Sequence, residues 1–238
     1  MKTVLITGGS RGIGAAMVRC FSEAGYSVAF TYKNSVKLAE ALSKETGALA
    51  VKADSAVERE VTAALEKVKS AIGEIDVLVN NAAVSEFSLF SDIDFRSWRE
   101  MFAVSVDGAF LYTKGVIPEM INKKQGRIIN ISSIWGITGA SCEVHYSAAK
   151  AAVIGMTKAL AKELGPSGIT VNCIAPGVIN TDMNKRLSED DIDTLIDMTP
   201  LMRVGEPQEI ARTALFLAGD GASFITGDVI NASGGYVI

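Results

Sequence analysis

Short apolar runs rich in β-branched residues alternate along the chain with longer segments in which apolar residues recur every three or four positions. The short runs predict buried strands at residues 2–7, 27–31, 48–51, 75–79, 126–131, 169–174 and 228–231. The longer segments predict helices at 13–24, 35–45, 57–71, 96–122, 145–164 and 207–218. Such alternation predicts an α/β fold, a doubly wound parallel sheet of about seven strands with helices on both faces. Ligands then bind at the carboxyl ends of the strands.

A glycine-rich turn joins the first predicted strand to the first predicted helix. Strand, glycine turn and helix in this order are the context of a Rossmann-type dinucleotide site, although a purely structural turn is the alternative. Gly8 would allow the tight turn, Gly12 the close approach of a pyrophosphate, and Gly14 the close packing of helix on strand. The helix N-terminus would offer backbone N–H groups to the phosphates. The predicted cofactor site therefore includes the whole turn, with Ser10, Arg11 and Ile13.

Tyr146 and Lys150 stand four residues apart, and Ser133 lies thirteen residues before Tyr146. Positions i and i+4 share one face of a helix, so the Lys150 ammonium can reach towards the Tyr146 phenol. A phenol has an ordinary pKa of about 10 and needs a neighbouring positive charge to act as an acid or base near neutrality. Such pairs also arise by chance on helix surfaces. The nucleotide site before them favours a catalytic interpretation.

The residues after the second strand favour NADPH over NADH. A site for NAD usually has an acidic side chain about twenty residues past the glycines, and the first acidic residue after this strand is Glu40. Lys33 after the strand and Arg11 in the glycine turn can hold a 2′-phosphate by charge. Two solvated surface cations are the alternative.

Composition narrows the function classes. The chain has 238 residues, 48% hydrophobic content and a net charge of −4, which fit a single globular domain over residues 1–238 and give no basic cluster for nucleic acid. No apolar run is long enough to span a membrane, and the first strand begins at Lys2, so we expect a cytoplasmic protein without a signal peptide. The cysteines, Cys20, Cys142 and Cys173, are widely spaced, and with a single histidine they predict no metal site.

The ordered motifs resemble those of the short-chain dehydrogenase/reductase family across essentially the whole chain. Besides Thr7, the glycine turn, Ser133, Tyr146 and Lys150, they include Asn80-Asn81-Ala82-Ala83 and Ala175-Pro176-Gly177-Val178-Ile179 with Thr181. The resemblance implies that Asn81 and Ala82 belong to the NADP(H) site and that Pro176, Gly177, Ile179 and Thr181 lie beside its nicotinamide. It also implies that Asp54 and Ser55 lie near the adenine. For Asp54 the alternative is a helix N-cap.

By the same resemblance the reaction is reduction of a carbonyl by hydride transfer. Tyr146 would donate the proton, Ser133 would hydrogen-bond the carbonyl oxygen, and Lys150 would tune Tyr146 and contact the nicotinamide ribose. Two positions depart from the family pattern. Ser105 stands where the family has an asparagine that joins the proton relay through water, and Ala83 replaces a glycine. Ser105 is either a shorter substitute in the relay or a tolerated helix residue.

The motifs are most similar to those of the 3-oxoacyl-[acyl-carrier-protein] reductases of fatty acid biosynthesis. That similarity implies an acyl-thioester ketone as substrate and an acyl carrier protein as a possible partner. The expected docking residues near the cleft are Lys123, Lys124, Arg127 and, on a substrate lid of about residues 180–203, Lys185 and Arg186. His145 is expected to be an exposed neighbour of Tyr146, with a catalytic role as the alternative. A short-chain alcohol, sugar or steroid dehydrogenase, and a nucleotide-binding regulator with weak activity, are the alternatives.

The predicted helices at 96–122 and 145–164 carry apolar residues around much of their circumference. One face of each can cover the sheet, which leaves another face for a partner subunit. We therefore expect a homotetramer, as the family resemblance implies.

Overall fold

The computed structural model describes residues 1–184 and 188–237. Seven strands form one parallel sheet in the order β3-β2-β1-β4-β5-β6-β7. The strands are β1 Thr3–Ile6, β2 Ser27–Tyr32, β3 Leu49–Lys52, β4 Val77–Asn80, β5 Gly126–Ile131, β6 Ile169–Pro176 and β7 Val229–Ala232. The order reverses between β1 and β4, as in a doubly wound sheet. The predicted fold class is confirmed, and each predicted strand overlaps an observed one.

The helices follow the predicted alternation with three additions. They are α1 Gly12–Glu23, α2 Val36–Thr46, α3 Glu58–Ile72, α4 Phe95–Phe102, α5 Gly108–Lys123, α6 Trp135–Thr138, α7 Val144–Leu164, α8 Glu189–Asp197 and α9 Pro207–Ala218. The short helices α6 and α8 were not predicted. The single helix predicted over 96–122 is wrong, because a π-helical segment, Ala103–Asp107, separates α4 from α5. Ser105 lies at the centre of that segment.

The alternation of side chains along the strands divides the core into two layers. On one face of the sheet, residues such as Val4, Ile6 and Phe30 pack with apolar residues of α1 and α9. On the other face, Leu5, Ala29 and Leu78 pack with residues of α3, α5 and α7. Because both faces are covered, the polar ends of the strands are the surfaces left for binding. In the part of the chain that the structure describes, no helix has the length and apolar character needed to cross a membrane.

Candidate active site

The conformation of the glycine turn after β1 requires glycine at several of its positions. Gly8 and Gly12 adopt positive φ values of 64° and 52°, a region that residues with a Cβ rarely enter. A Cβ on Gly14 would lie 2.3 Å from the Gly8 carbonyl oxygen. These contacts confirm the tight turn and the close packing of α1 on β1.

A second segment supports the turn from β4. The Thr7 hydroxyl accepts hydrogen bonds from the backbone N–H groups of Asn81 and Ala82 at 2.9 and 3.0 Å. The Asn81 amide donates to the carbonyl oxygens of Thr7 and Gly8 at 2.9 and 3.1 Å. The Asn81 side chain therefore holds the glycine turn in place, which the motif alone did not show.

The N-terminus of α1 fits a phosphate group. No side chain of the described residues caps this helix, and its first turn contains no acidic residue. Its first backbone N–H groups, beginning at Gly12, therefore point out of the turn together with the positive end of the helix dipole. Thr181 lies across from them, since a Cβ on Gly12 would be 3.4 Å from Thr181 Cγ2. The donors present here are those that a pyrophosphate requires.

Lys33, expected to bind a 2′-phosphate, forms an ion pair with Asp54. Lys33 Nζ lies 2.7 Å from Asp54 Oδ2, and this hydrogen bond raises the pKa of Lys33 above its ordinary value. Asp54 also accepts from the Ala56 N–H at 3.0 Å. Helix α3 begins later, at Glu58, so the alternative of Asp54 as its N-cap is wrong. Arg11 is exposed and has no carboxylate partner among the described residues. Arg11 is therefore the less neutralised of the two cations.

Ser133, Tyr146 and Lys150 converge beyond the carboxyl end of β5. Ser133 follows this strand by two residues, and Tyr146 and Lys150 lie on α7. The Ser133 hydroxyl accepts from the Trp135 N–H at 3.2 Å, and Lys150 Nζ lies 5.6 Å from the centre of the Tyr146 ring. Tyr146 and Ser133 are 8% and 7% exposed. Two nearly buried hydroxyl groups and a lysine ammonium therefore lie beyond the end of this strand.

Lys150 is buried and anchored to the sheet. Its ammonium donates to the Ile131 carbonyl oxygen at 2.8 Å, and burial lowers its pKa from 10.5 to about 8. A lysine with that pKa is still mostly protonated at pH 7. The positive charge that the Tyr146–Lys150 pairing requires is therefore present at neutral pH. Burying that charge lowers the free energy of unfolding.

Ser105 faces a small polar cavity rather than solvent. The cavity, about 10 Å³ in the volume open to the centre of a water molecule, is lined by Thr7, Ser55, Asn80, Ser105 and Ile131 among others. Ser105 Oγ and Asn80 Oδ1 are buried and have no hydrogen-bond partner among the described residues. A cavity of this size and polarity accommodates one water molecule. Ile131 links the cavity to Lys150, because its carbonyl accepts the ammonium hydrogen bond.

Comparisons with known proteins agree with this geometry. Residues 8–237 match a family model described as enoyl-(acyl carrier protein) reductase. The 3-oxoacyl-[acyl-carrier-protein] reductase FabG of Staphylococcus epidermidis is 41% identical to the chain over 239 aligned positions, which cover 98% of each protein. The acetoacetyl-CoA reductase of Rhizobium meliloti is 41% identical over 235 positions, again covering 98% of each.

A solved structure shows the same likeness in three dimensions. The crystal structure of a blue fluorescent protein from a metagenomic library, in complex with NADPH, superimposes with a TM-score of 0.94 and 36% identity. The match covers 100% of this chain and 98% of that one. The chain belongs to the short-chain dehydrogenase/reductase family. The expected family membership is thereby confirmed.

Two expectations derived from this family resemblance are wrong in the structure. His145 is fully buried rather than exposed, and its Nε2 lies 3.6 Å from Glu86 Oε2. Lys123, Lys124 and Arg127 do not flank the cleft of the protomer, because they lie around the start of β5, at the opposite end of the sheet from Ser133. Lys123 is bound to Glu74 and Asp76, and the Arg127 side chain is buried. Lys185 and Arg186 lie outside the described residues.

Sequence reasoning missed the polar residues that hold this short-chain dehydrogenase/reductase site together. Asn130 accepts a hydrogen bond from Asn80 and donates one to Thr157, both at 2.8 Å, and thereby links β4, β5 and α7. The Ser132 hydroxyl donates to the Lys150 carbonyl oxygen at 2.8 Å. Two features of the sequence could have indicated them. Asn130 is a polar residue inside an otherwise apolar strand, and Ser132 lies directly before Ser133.

Proposed function

We propose that this oxidoreductase uses NADPH to reduce the 3-keto group of an acyl thioester, as a 3-oxoacyl-[acyl-carrier-protein] reductase. One observation supports the proposal above all. Ser133, Tyr146 and a buried, charged Lys150 lie at the carboxyl end of the sheet, where the glycine turn and the N-terminus of α1 also fit a dinucleotide. The names of the curated relatives, FabG and acetoacetyl-CoA reductase, support a 3-oxoacyl thioester as the substrate.

Each of the three site residues has a separate role in the proposed reaction. When bound, the reduced nicotinamide supplies the hydride that adds to the carbonyl carbon. Tyr146 donates its phenolic proton to the carbonyl oxygen, and the Ser133 hydroxyl donates a hydrogen bond to the same oxygen. The Lys150 ammonium stabilises the phenolate that remains. Ketone, hydride and proton together give the alcohol.

Ser105 completes the path by which Tyr146 recovers its proton. We assign it to a relay in which a water molecule held by Ser105 donates hydrogen bonds to Asn80 Oδ1 and to the Ile131 carbonyl oxygen, which also accepts from Lys150. The buried and unpartnered Ser105 Oγ and Asn80 Oδ1 support this role. The smaller hydroxyl replaces the family's asparagine amide by leaving space for water.

The glycine turn and the cations near it indicate which residues bind the phosphate groups of NADPH. The N–H groups at the start of α1 hold the pyrophosphate, and Arg11 with Lys33 attracts the 2′-phosphate. The complex of the metagenomic blue fluorescent protein with NADPH supports this choice of cofactor. The lid over the substrate, expected at about residues 180–203, includes α8 among its described residues.

The assembly and location are part of the same proposal. Phe110 on α5 is 50% exposed in the protomer, and Ile154 and Met156 on α7 are half-buried. Burial of these apolar residues between subunits supports a homotetramer. A cytoplasmic location is supported by the three cysteines, each of which is free. An acyl carrier protein is the proposed partner that presents the substrate.

A panel of thioesters tests the reaction class. We expect the purified enzyme to oxidise NADPH with acetoacetyl thioesters, and to do so more slowly with NADH. The description of the matching family model as an enoyl reductase makes a crotonyl thioester the discriminating second substrate. Faster turnover of the crotonyl compound would replace the proposal with enoyl reduction. Tight NADPH binding without turnover of either compound, or of alcohols, sugars and steroids with an oxidised cofactor, would indicate a regulator.

A further inference from the structure

A continuous row of apolar side chains leads from the catalytic serine to the lid. The Trp135 backbone N–H donates to Ser133 Oγ. The Trp135 side chain packs against the cluster of Met101, Tyr146 and Ala149, and its indole lies edge-to-face against the Tyr236 ring with centroids 5.5 Å apart. The Tyr236 hydroxyl in turn lies 3.6 Å from Met198 Sδ. Trp135, Tyr236 and Met198 form what we call the aromatic row. It joins three segments that are distant in the sequence.

The C-terminal segment that carries Tyr236 is tightly fixed against the end of the lid. The Gly234 carbonyl accepts from the Leu201 N–H at 3.1 Å. Gly234 and Gly235 have φ values of 65° and 89°, and a Cβ on Gly235 would lie 2.9 Å from Pro200 Cγ. These contacts fix the backbone of the two residues that directly precede Tyr236.

The row ends in an apolar surface that the protomer leaves uncovered. Met198 is 56% exposed, and Leu201 in the following turn is 61% exposed, while Trp135 and Tyr236 are half-buried. None of these four side chains is charged. Exposed apolar groups connected to a candidate active site indicate a ligand surface, and methionine side chains adapt to flexible apolar ligands.

We propose that the aromatic row binds the alkyl chain of the 3-oxoacyl thioester and makes longer chains better substrates. The inference rests on the proposed function, which places the keto group at Ser133 and Tyr146. An alkyl chain continues directly from that keto carbon, and the row begins only two residues after Ser133. The thioester arm is polar, so it gains less from this surface than a hydrocarbon chain does. Trp135 and Tyr236 are thus specificity-determining residues.

Chain-length profiles test the inference. With N-acetylcysteamine thioesters, which need no carrier protein, we expect kcat/KM to rise about twofold per methylene, since half-burial gives less than the about fourfold of full burial. The eight-carbon 3-oxoacyl substrate should therefore exceed the four-carbon one by about tenfold or more. Tyr236→Ala and Trp135→Ala should reduce this ratio to below about threefold. Tyr236→Phe, which keeps the ring, and Leu38→Ala, at an exposed apolar position on α2, should keep the wild-type ratio.

The outcomes separate this inference from the proposed function. A wild-type enzyme that turns over the four-carbon substrate with a flat chain-length profile overturns the inference alone. An equal loss on all chain lengths in Tyr236→Ala, with NADPH binding retained, also overturns it, because the row would then serve the thioester arm or the catalytic loop. No turnover of any 3-oxoacyl thioester by the wild type contradicts the proposed function itself. If Trp135→Ala fails to bind NADPH through misfolding, the Tyr236 variants decide the question.

Discussion

The Lys150 ammonium donates a hydrogen bond of 2.8 Å to the carbonyl oxygen of Ile131, the last residue of β5. The neighbouring Ser132 hydroxyl donates to the backbone carbonyl of Lys150 at the same distance. Helix α7 is therefore attached to the end of β5 through both the side chain and the backbone of one residue. Tyr146 lies one turn before Lys150 on α7, and Ser133 directly follows Ser132, so these two bonds hold the backbone segments that carry both residues.

Replacing this lysine should separate activity from stability. The pKa of Lys150 falls from 10.5 in an exposed lysine to about 8, so burying its charge costs about 3 kcal/mol below pH 8. Lys150→Met removes that cost, although the Ile131 carbonyl then lacks its donor at a cost of about 1–2 kcal/mol. We expect no turnover, together with equal or higher unfolding free energy at pH 7, measured by urea denaturation.

The pH dependence of that difference has a definite sign. Between pH 8 and 10.5 the unfolded chain binds more protons at Lys150 than the folded chain does, so the wild type regains the lost stability as the pH rises through this window. The advantage of Lys150→Met should therefore shrink from pH 7 to pH 10. An advantage that grows over that range would contradict a buried, charged lysine.

The Lys33–Asp54 ion pair should limit the preference for NADPH. Asp54 neutralises Lys33, whereas Arg11 has no such partner among the described residues. We expect Asp54→Asn to increase the ratio of kcat/KM for NADPH over NADH, since the amide still accepts from Ala56 but leaves Lys33 unpaired. Arg11→Ala should lower the ratio more than Lys33→Ala does. If Arg11→Ala and the Arg11→Ala/Lys33→Ala double variant both keep the wild-type ratio, the proposed 2′-phosphate site is wrong.

Ser105 should affect proton delivery without affecting binding. Loss of its hydroxyl in Ser105→Ala removes a hydrogen bond worth on the order of 1 kcal/mol, or about a fivefold decrease in kcat. We expect unchanged NADPH affinity and a larger solvent isotope effect on kcat. Ser105→Asn, which supplies the amide found in the family, should have the wild-type kcat and the wild-type solvent isotope effect. Identical kinetics in all three proteins would show that Ser105 is only a tolerated helix residue.

The sequence was most informative where one local pattern determines the structure. Apolar β-branched runs locate the strands, and the glycine turn before α1 is identified by spacing because only glycine avoids the clashes seen at Gly8 and Gly14. The break in the helix over 96–122 was not predictable in this way. Residues 103–107 keep a helical apolar pattern, and the structure shows that this π-helical segment and α4 pack against α7, a contact between distant parts of the sequence.

The other features that the sequence did not predict depend on contacts between distant segments of the chain. Lys33 and Asp54 follow different strands, and each was interpreted alone, although β2 and β3 are neighbours and bring the two side chains together. Whether His145, beside Tyr146, is exposed or buried depends on a distant segment of the chain, and Glu86 of that segment lies 3.6 Å from its Nε2. Trp135 and Tyr236 carry no motif, so only the fold shows that they meet.

The proposed tetramer can be tested at one exposed aromatic residue. Phe110 is 50% exposed on α5, so a charge there should disrupt a subunit interface with little effect on the protomer. We expect light scattering to give the mass of four protomers for the wild type and a smaller mass for Phe110→Asp. Leu38→Asp on α2, at a position with 51% exposure, is the matched control and should remain tetrameric. A monomeric wild type at micromolar concentration would reject the assembly.

The phenol of Tyr146 is the proposed proton donor, and removing its hydroxyl alone tests the mechanism most directly. Tyr146→Phe should bind NADPH with wild-type affinity and reduce acetoacetyl thioester at least about a hundredfold more slowly, because general acid catalysis is lost. Tyr26→Phe, which changes a tyrosine before β2 at the opposite end of the sheet, should retain full activity. Near-normal turnover of acetoacetyl thioester by Tyr146→Phe would contradict Tyr146 as the proton donor and, with it, the proposed mechanism.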